Sequence, residues 1–261
     1  MLLPAHLEQS LIVFALGASR TVPFAWLVPA FGGPTLPAPI RLALGLALSA
    51  LCFPIIASRV LPHGPVAWVL LLVREGTVGV VMGFVVACLF RAVEAAGRLT
   101  DILRGANLSE VISPLSETRT SCFGNLFLLT ALVIFFEIGG AGYLATALAR
   151  SYEAMPLAAT ASGPVRAQSA AWLVIAASSK LIESAVGLAA PVLVAVLLAD
   201  LTLGVLGRVA PQVELYFVGM PAKALLGVAA VLAGLATLDA ALTAGFRGFW
   251  ILLERAAQLG R

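Results

Sequence analysis

Ionisable residues are too sparse in this chain of 261 residues to cover the surface of a water-soluble domain. Asp, Glu, Lys and Arg together make up 11% of the residues, whereas about 25% is typical of a soluble domain. Hydrophobic residues make up 61%, and the mean hydropathy is +1.05. The composition therefore excludes a soluble globular domain, a disordered chain and a nucleic-acid-binding module, and it leaves a membrane or membrane-associated protein.

Most uncharged stretches are 15 to 17 residues long, at or below the roughly 17–25 residues of a helix that crosses a bilayer. They are rich in Leu, Ala, Val and Gly and lack the alternating pattern of β-barrel strands. We therefore expect an all-α, polytopic, membrane-associated chain of about six long, kinked helices. The predicted helices cover residues 8–31, 40–61, 65–104, 118–152, 165–208 and 219–256.

Proline and glycine mark the breaks between these helices, because proline lacks a backbone donor and glycine is flexible. The longest hydrophilic interruption is the segment 105–120. No stretch has the composition of a domain linker, so we expect a single unit, 1–261, with a polar loop at about 104–120. Three prolines inside predicted helices are expected to kink them: Pro23, Pro54 and Pro191.

Several ionisable residues interrupt the apolar helices, where each charge would cost roughly 2.5–3.5 kcal/mol at a bilayer centre. They are Arg74, Glu75, Glu94, Glu137, Lys180, Glu183, Asp200 and Asp239. We expect each of them near the interface, in an ion pair, or facing water or protein. Lys180 and Glu183 are three residues apart and are predicted to pair on one helix face. The predicted connections carry seven Lys and Arg on each side, so the positive-inside rule selects no orientation.

Two small-residue patterns are weak signals of close helix packing: Gly79 with Gly83, and Gly45 with Ser49. They are weak because a chain with 24 glycines contains such spacings by chance.

Residues with the spacing of a catalytic or metal site are missing from the sequence. The three cysteines lie far apart with no CxxC pair, and the two histidines are not spaced with other ligands. The chain also lacks a Walker loop, a GxSxG motif, a GxGxxG motif after a strand and an HExxH motif. We therefore expect no enzyme, no metal and no cofactor, and transport or assembly is the remaining class of function.

Three motifs follow one another along the chain. The first, E-x-x-G-x-x-x-D-x-x-R-G, consists of Glu94, Gly97, Asp101, Arg104 and Gly105. The second runs from Phe135 through Glu137, Gly139 and Gly140 to Ser151, Tyr152 and Pro156. The third includes Pro191, Asp200, Arg208, Pro211, Met220, Pro221 and Lys223. In this order, over roughly residues 75–235, they resemble the SctT/FliR family, the T-type subunits of the type III secretion export apparatus. The first motif and the Gly139-Gly140 pair resemble the virulence branch more than the flagellar one.

The resemblance implies a non-enzymatic subunit built of helical hairpins within a helical export-gate assembly. Its implied partners are the R-type and S-type gate subunits, the U-type switch subunit, the V-type export subunit and unfolded secretion substrates in transit. Its implied location is the bacterial inner membrane, within the basal body of the secretion system. Such a gate would surround the embedded charges with protein, which lowers their cost.

The resemblance also implies roles for particular residues. The polar loop would help to close the pore, through Arg104, Gly105, Asn107, Ser113, Pro114 and Ser116. Candidates for subunit contacts are Glu94, Gly97, Asp101, Glu137, Gly139, Gly140, Pro191, Asp200, Arg208, Pro211, Met220, Pro221 and Lys223.

Other interpretations remain open at this point. The loop can be an ordinary solvent-exposed connection. We expect Asp200, Arg208 and Lys223 to pair with one another or with adjacent subunits; the alternative is that they extend from helix ends toward the membrane surface. A proton- or ion-coupled secondary transporter of a small solute would use Glu94, Glu137 or Asp200 as its ion site, but the inverted repeats typical of such proteins are not evident in the sequence. A purely structural membrane scaffold is the third possibility.

Overall fold

The computed structural model of the chain describes residues 5–32, 36–56, 65–105, 121–157, 167–210, 212 and 215–257. Over these ranges the chain forms seven α-helices and a 3-10 turn at Pro29–Phe31, with no strand. The helices are α1 (Ala5–Leu27), α2 (Ala38–Ile56), α3 (Pro65–Leu103), α4 (Cys122–Glu137), α5 (Gly140–Ala154), α6 (Ala167–Val209) and α7 (Leu215–Ala257). The all-α prediction is confirmed.

Five of the six predicted helices are present as single helices, but the prediction of one helix over 118–152 is wrong. Its described part consists of α4 and α5, which meet at an angle of 72°. Gly139 lies at the corner with a φ of +77°. This left-handed conformation costs a residue with a side chain roughly 1–2 kcal/mol, so glycine is the residue that allows the break.

Four of the described helices are long and apolar enough to cross a membrane, or five spans if the bent α4–α5 pair counts as one. These helices differ in the fraction of their residues that other parts of the chain bury. In α3 the apolar window Trp68–Leu103 has 67% of its residues buried, whereas in α6 the window Gln168–Val209 has only 22% buried. The fold is that of a polytopic membrane protein in which α3 is largely enclosed and α6 is largely exposed.

The chain divides into two compact units, neither of which is a continuous piece of sequence. The first unit comprises Met1–Leu89, Phe135–Lys180 and Arg247–Arg261. Within it, α1 packs along α2, and α2 also contacts α5. The second unit comprises Phe90–Ile134 and Leu181–Phe246. It contains the last turns of α3, most of α4, and the facing parts of α6 and α7.

Glycines allow α2 and α3 to approach α1 closely in the first unit. A Cβ at Gly79 would overlap the backbone of Arg20, and a Cβ at Gly45 would lie 2.8 Å from the Cα of Val22. A Cβ at Gly83 would lie 3.0 Å from a side-chain carbon of α1. Both small-residue patterns therefore lie at close contacts between helices, although in the sequence alone they are weak signals.

Replacing Gly79 by Ala is expected to destabilise the protein, because the added methyl group meets backbone that cannot move without separating α1 from α3. The expected loss is about 1–3 kcal/mol of unfolding free energy, measured by denaturant titration in detergent micelles. Gly76→Ala, one turn earlier on α3, is the matched control, because among the described residues its Cβ would meet only the carbonyl oxygen of Ser19, at 3.8 Å. The control should be neutral or stabilising by up to roughly 1 kcal/mol, since alanine favours helix. Equal stability of the two variants would contradict the packing argument.

Candidate functional site

The first sequence motif occupies the last turns of α3, where its two acidic residues are buried. Glu94 accepts hydrogen bonds from Arg91 Nη1 at 2.6 Å and from Arg98 Nη2 at 2.5 Å. Both arginines belong to α3 and have about half of their side chains exposed. Glu94 is therefore satisfied by its own helix.

Asp101 instead connects α3 to the beginning of α4. Its Oδ1 accepts hydrogen bonds from Arg104 Nε at 2.9 Å and Nη2 at 2.7 Å. Its Oδ2 accepts hydrogen bonds from Ser121 Oγ at 2.6 Å and from the backbone N–H of Phe123 at 3.0 Å. We call this group of Asp101, Arg104, Ser121 and Phe123 the Asp101 clasp.

The clasp also caps the first turn of α4. The N–H groups of a helix's first turn lack partners within the helix and need an acceptor from elsewhere. Ser121 Oγ accepts the N–H of Gly124 at 2.9 Å, as an N-cap serine does, and Asp101 accepts the N–H of Phe123. A carboxylate at this position is further favoured by the positive end of the helix dipole.

Close backbone packing supports the clasp from both sides. A Cβ at Gly97 would overlap the carbonyl group of Phe123, so α3 and α4 touch at backbone level there. The Arg104 guanidinium lies 4.5 Å from the ring centroid of Phe123. A Cβ at Gly227, on α7, would lie 3.0 Å from the Cβ of Arg104. Three helices of the second unit therefore meet around Arg104.

Gly105 ends α3 in a left-handed conformation, with a φ of +80°, as glycine commonly does after a helix. Several predicted site residues beyond it lie outside the described part of the chain: Asn107, Ser113, Pro114, Ser116 and, further along, Pro211. The side chain of Asp239 also lies outside the described side chains.

Asp200 and Lys223 form an ion pair that joins α6 to α7. The pairing expected within this group is therefore present for these two residues. Both side chains are partly exposed, 46% for Asp200 and 29% for Lys223. Arg208 is exposed in the last turn of α6.

The other candidates from the second and third motifs are dispersed. Gly140 is buried, and a Cβ there would overlap the ring of Phe135. Glu137 and Gly139 are exposed at the α4–α5 corner. Pro191 and Pro221 are exposed within α6 and α7, and Met220 beside Pro221 is partly buried.

A second buried polar cluster, in the first unit, was not predicted from the sequence. Arg20 of α1 and Glu75 of α3 have no exposed side-chain surface. Arg20 Nε donates to Glu75 Oε2 at 2.7 Å, Nη1 donates to Ser151 Oγ at 3.0 Å, and Nη2 donates to the carbonyl oxygen of Met155 at 3.0 Å. The guanidinium lies 4.2 Å from the ring centroid of Tyr152, whose hydroxyl donates to the carbonyl oxygen of Gly17 at 2.8 Å. One arginine therefore joins α1, α3 and the end of α5.

Sequence spacing could not reveal this pairing, because Arg20 and Glu75 lie 55 residues apart. The available signal was the isolated arginine itself. A single cation in the apolar part of α1 requires a buried acceptor, and an acidic residue within another apolar helix is the natural partner.

Both clusters consist of hydrogen bonds and ion pairs that connect helices to one another. In the described ranges, no group of three or more His, Cys, Asp or Glu is placed to hold a metal ion. Both carboxylate oxygens of Asp101 are occupied by donors of the chain itself. The clusters fix helix ends and helix pairs in place.

The family described as "Bacterial export proteins, family 1" matches residues 11–248. The chain belongs to this family. The resemblance to the SctT/FliR family is thereby confirmed, and the match covers the helices that carry both polar clusters, from α1 to nearly the end of α7.

Relatives from secretion systems and from flagella are similar to the chain. The secretion system apparatus protein SsaT of Salmonella typhimurium is 32% identical over 227 residues, which is 85% of this chain and 86% of the relative. The Yop proteins translocation protein T of Yersinia pestis is 34% identical over 156 residues, 59% of this chain and 58% of the relative. The flagellar biosynthetic protein FliR of Aquifex aeolicus is 25% identical over 248 residues, 95% of this chain and 94% of the relative.

Removing one partner of the Arg20–Glu75 pair is expected to destabilise the protein more than replacing both partners with apolar residues. Glu75→Leu leaves a buried arginine uncompensated, at an expected cost of about 3–5 kcal/mol of unfolding free energy. The double variant Arg20→Met with Glu75→Leu should recover part of that loss, because an apolar pair can replace a buried ion pair. A double-mutant cycle in detergent measures the difference.

The matched control for this cycle is the ion pair between Arg150 and Glu254, also in the first unit. Its N–O distance is 3.4 Å and its side chains are 69% and 47% exposed. An exposed pair of this kind contributes about 0–1 kcal/mol. A coupling energy at Arg20–Glu75 as small as that of the control would contradict the role assigned to the buried pair.

Proposed function

We propose that this chain is the T-type subunit of a virulence-type type III secretion export gate, in the bacterial inner membrane within the basal body. The family match over most of the chain supports the proposal, as does similarity to the secretion protein SsaT over 85% of this chain. The chain is 32% identical to SsaT and 34% identical to the Yop translocation protein T, but 25% identical to FliR of Aquifex aeolicus. This difference in identity favours the virulence branch. The protein would help to form and close the entry channel for unfolded secreted proteins.

The observation that carries the proposal is the length of the apolar surface on α6. An apolar helical window of 42 residues is about 63 Å long, whereas the hydrocarbon core of a bilayer is about 30 Å thick. Only 22% of the window's residues are buried by the chain itself. About half of the apolar face therefore needs a cover other than lipid, and apolar helices of neighbouring gate subunits would supply it.

Large aliphatic side chains continue along this exposed face. They include Ile175, Ile182, Leu193, Leu197, Leu201 and Val205, which are 41–63% exposed. The partly exposed pair of Asp200 and Lys223 interrupts the apolar surface. A charged pair is costly against lipid and is better placed against polar groups of a partner or against water. These features support contacts with the R-type and S-type subunits.

The polar segment between α3 and α4 is the part proposed to help close the channel. Polar side chains at membrane depth are favoured only where they face water or protein rather than lipid. The chain departs from α3 at Gly105 and returns at Ser121, beside Asp101. We propose that the segment between these points lies in or at the aqueous channel, where unfolded substrates pass.

Photocrosslinking from α6 tests the proposed assembly. A photoreactive amino acid at Ile175, Ile182, Leu193 or Leu201, introduced one at a time, is expected to give adducts with R-type or S-type subunits at some of these positions. Expression of the same variants without those subunits is the control and should give none of these adducts. Adducts with lipid alone at all four positions would overturn the proposal.

Shortening the segment 106–120 tests the proposed closing role. The assembled complex that contains the shortened chain is expected to conduct small ions across a planar bilayer more strongly than the native complex, because a barrier in the channel has been removed. The control is an equal shortening within 158–166, another connection between helices. Unchanged conductance in an assembled complex with the shortened 106–120 segment would contradict the closing role.

A further inference from the structure

One tryptophan and one arginine are in contact where the apolar spans of α1 and α2 meet. The apolar window of α1 ends at Leu27, and that of α2 begins at Ala38. The α1 window has 18 residues, which is about 27 Å of helix and close to the roughly 30 Å of a hydrocarbon core. The end of a span of this length lies at the boundary between the acyl chains and the headgroups of the bilayer.

The arginine, Arg41, is held in place by both helices at this end. Its guanidinium carbon lies 4.4 Å from the ring centroid of Trp26, in the last turn of α1. Its Nε donates a hydrogen bond to the carbonyl oxygen of Leu36 at 3.0 Å, just before α2 begins. In the part of the chain that the structure describes, no acceptor is bonded to its Nη1 or Nη2. The two outer nitrogens of an oriented guanidinium are therefore available to a ligand.

The positive charge of Arg41 has no counter-ion on the two helices that hold it. Arg41 is the only charged residue of α2. The apolar window of α1 contains one charged residue, Arg20, and that arginine is paired with Glu75 of α3. A cation at the edge of a hydrocarbon layer is favoured by a paired anion, and here that anion has to come from outside the chain.

Apolar side chains flank the guanidinium and are open to the surroundings. Ile40 and Leu42, on either side of Arg41 in sequence, are 47% and 45% exposed, and Trp26 is 43% exposed. Tryptophan is enriched at the membrane–water interface, where its ring lies at headgroup level. A small inorganic anion would leave this apolar surface uncovered, whereas a lipid would cover it with acyl chains. The surface combines a site for an anion with a site for hydrocarbon.

We propose that Arg41 and Trp26 form a binding site for the phosphate group of an anionic phospholipid. The outer nitrogens of Arg41 donate to two phosphate oxygens, which is the paired geometry that a guanidinium favours. Trp26 keeps the guanidinium in this orientation, and Ile40 and Leu42 contact the acyl chains. The site depends on the membrane location of α1 and α2 and not on a role in export, so a failure of either proposal leaves the other intact.

Lipid titration of the purified full-length chain, read by native mass spectrometry, tests the site. The probe is phosphatidylglycerol, and the quantity is the dissociation constant of the most tightly bound lipid. Arg41→Gln is expected to weaken binding by about tenfold or more, because charge-assisted hydrogen bonds to the phosphate are lost. Trp26→Leu is expected to weaken it roughly two- to fivefold, because the cation–π contact that orients Arg41 is lost.

Two controls separate this site from general attraction between charges. Arg150→Gln removes another exposed arginine of the first unit, but one that is paired with Glu254, and it should leave the dissociation constant unchanged. Phosphatidylcholine with the same acyl chains should bind the native chain severalfold more weakly, because its headgroup has no net charge. Inorganic phosphate in excess should not displace phosphatidylglycerol, because it cannot cover Ile40 and Leu42.

Several results would overturn the inference. They are an unchanged dissociation constant in Arg41→Gln, an equal weakening in Arg150→Gln, and equal affinity of the native chain for the two lipids. Displacement by inorganic phosphate would show a simple anion site and overturn the assignment to a lipid. Where Arg41→Gln does not fold, Trp26→Leu decides: native affinity in that variant overturns the inference.

Discussion

A charge inside an apolar helix needs a partner before the helix can be buried, and α3 shows how the position of that partner determines what the charge does. The helix contains three acidic residues, and 67% of the residues in its apolar window are buried. Glu75 is paired across to α1, Glu94 within its own helix, and Asp101 with the end of α3 and the start of α4. Among the described residues, Glu75 joins the bodies of two helices, Glu94 bonds within one helix, and Asp101 joins two helix ends.

The sequence predicted those parts of the fold that depend on local chemistry. Uncharged stretches and proline-containing breaks predicted five of the helices. An apolar run that is bounded by residues unable to continue a helix has few alternatives to forming a helix itself. The break at Gly139 could not be predicted in this way. A glycine pair is tolerated within a helix, so the sequence does not distinguish a continuous helix from the left-handed corner that Gly139 forms.

The buried acidic residues of α3 were visible in the sequence by type but not by partner. The family resemblance selected Glu94 and Asp101, yet nothing in their spacing distinguishes an acid that binds its own helix from one that binds the next. The partner of Glu75 was missed for a similar reason, since Arg74 is adjacent in sequence and Arg20 is 55 residues away. Likewise Gly79 and Gly76 are both glycines of α3, and only the proximity of the Arg20 backbone makes one of them a close contact.

The two polar clusters also differ in how water can act on them. Arg20 and Glu75 have no exposed side-chain surface, so separating them leaves two charges without solvent, at a cost of several kcal/mol. Arg104 is 18% exposed, and water can replace part of what it loses. Separating the buried pair therefore costs more free energy than loosening the partly hydrated clasp. The two clusters therefore differ in kind: one joins a helix pair by contacts that water does not reach, and the other joins two helix ends by a polar connection that is nearer to water.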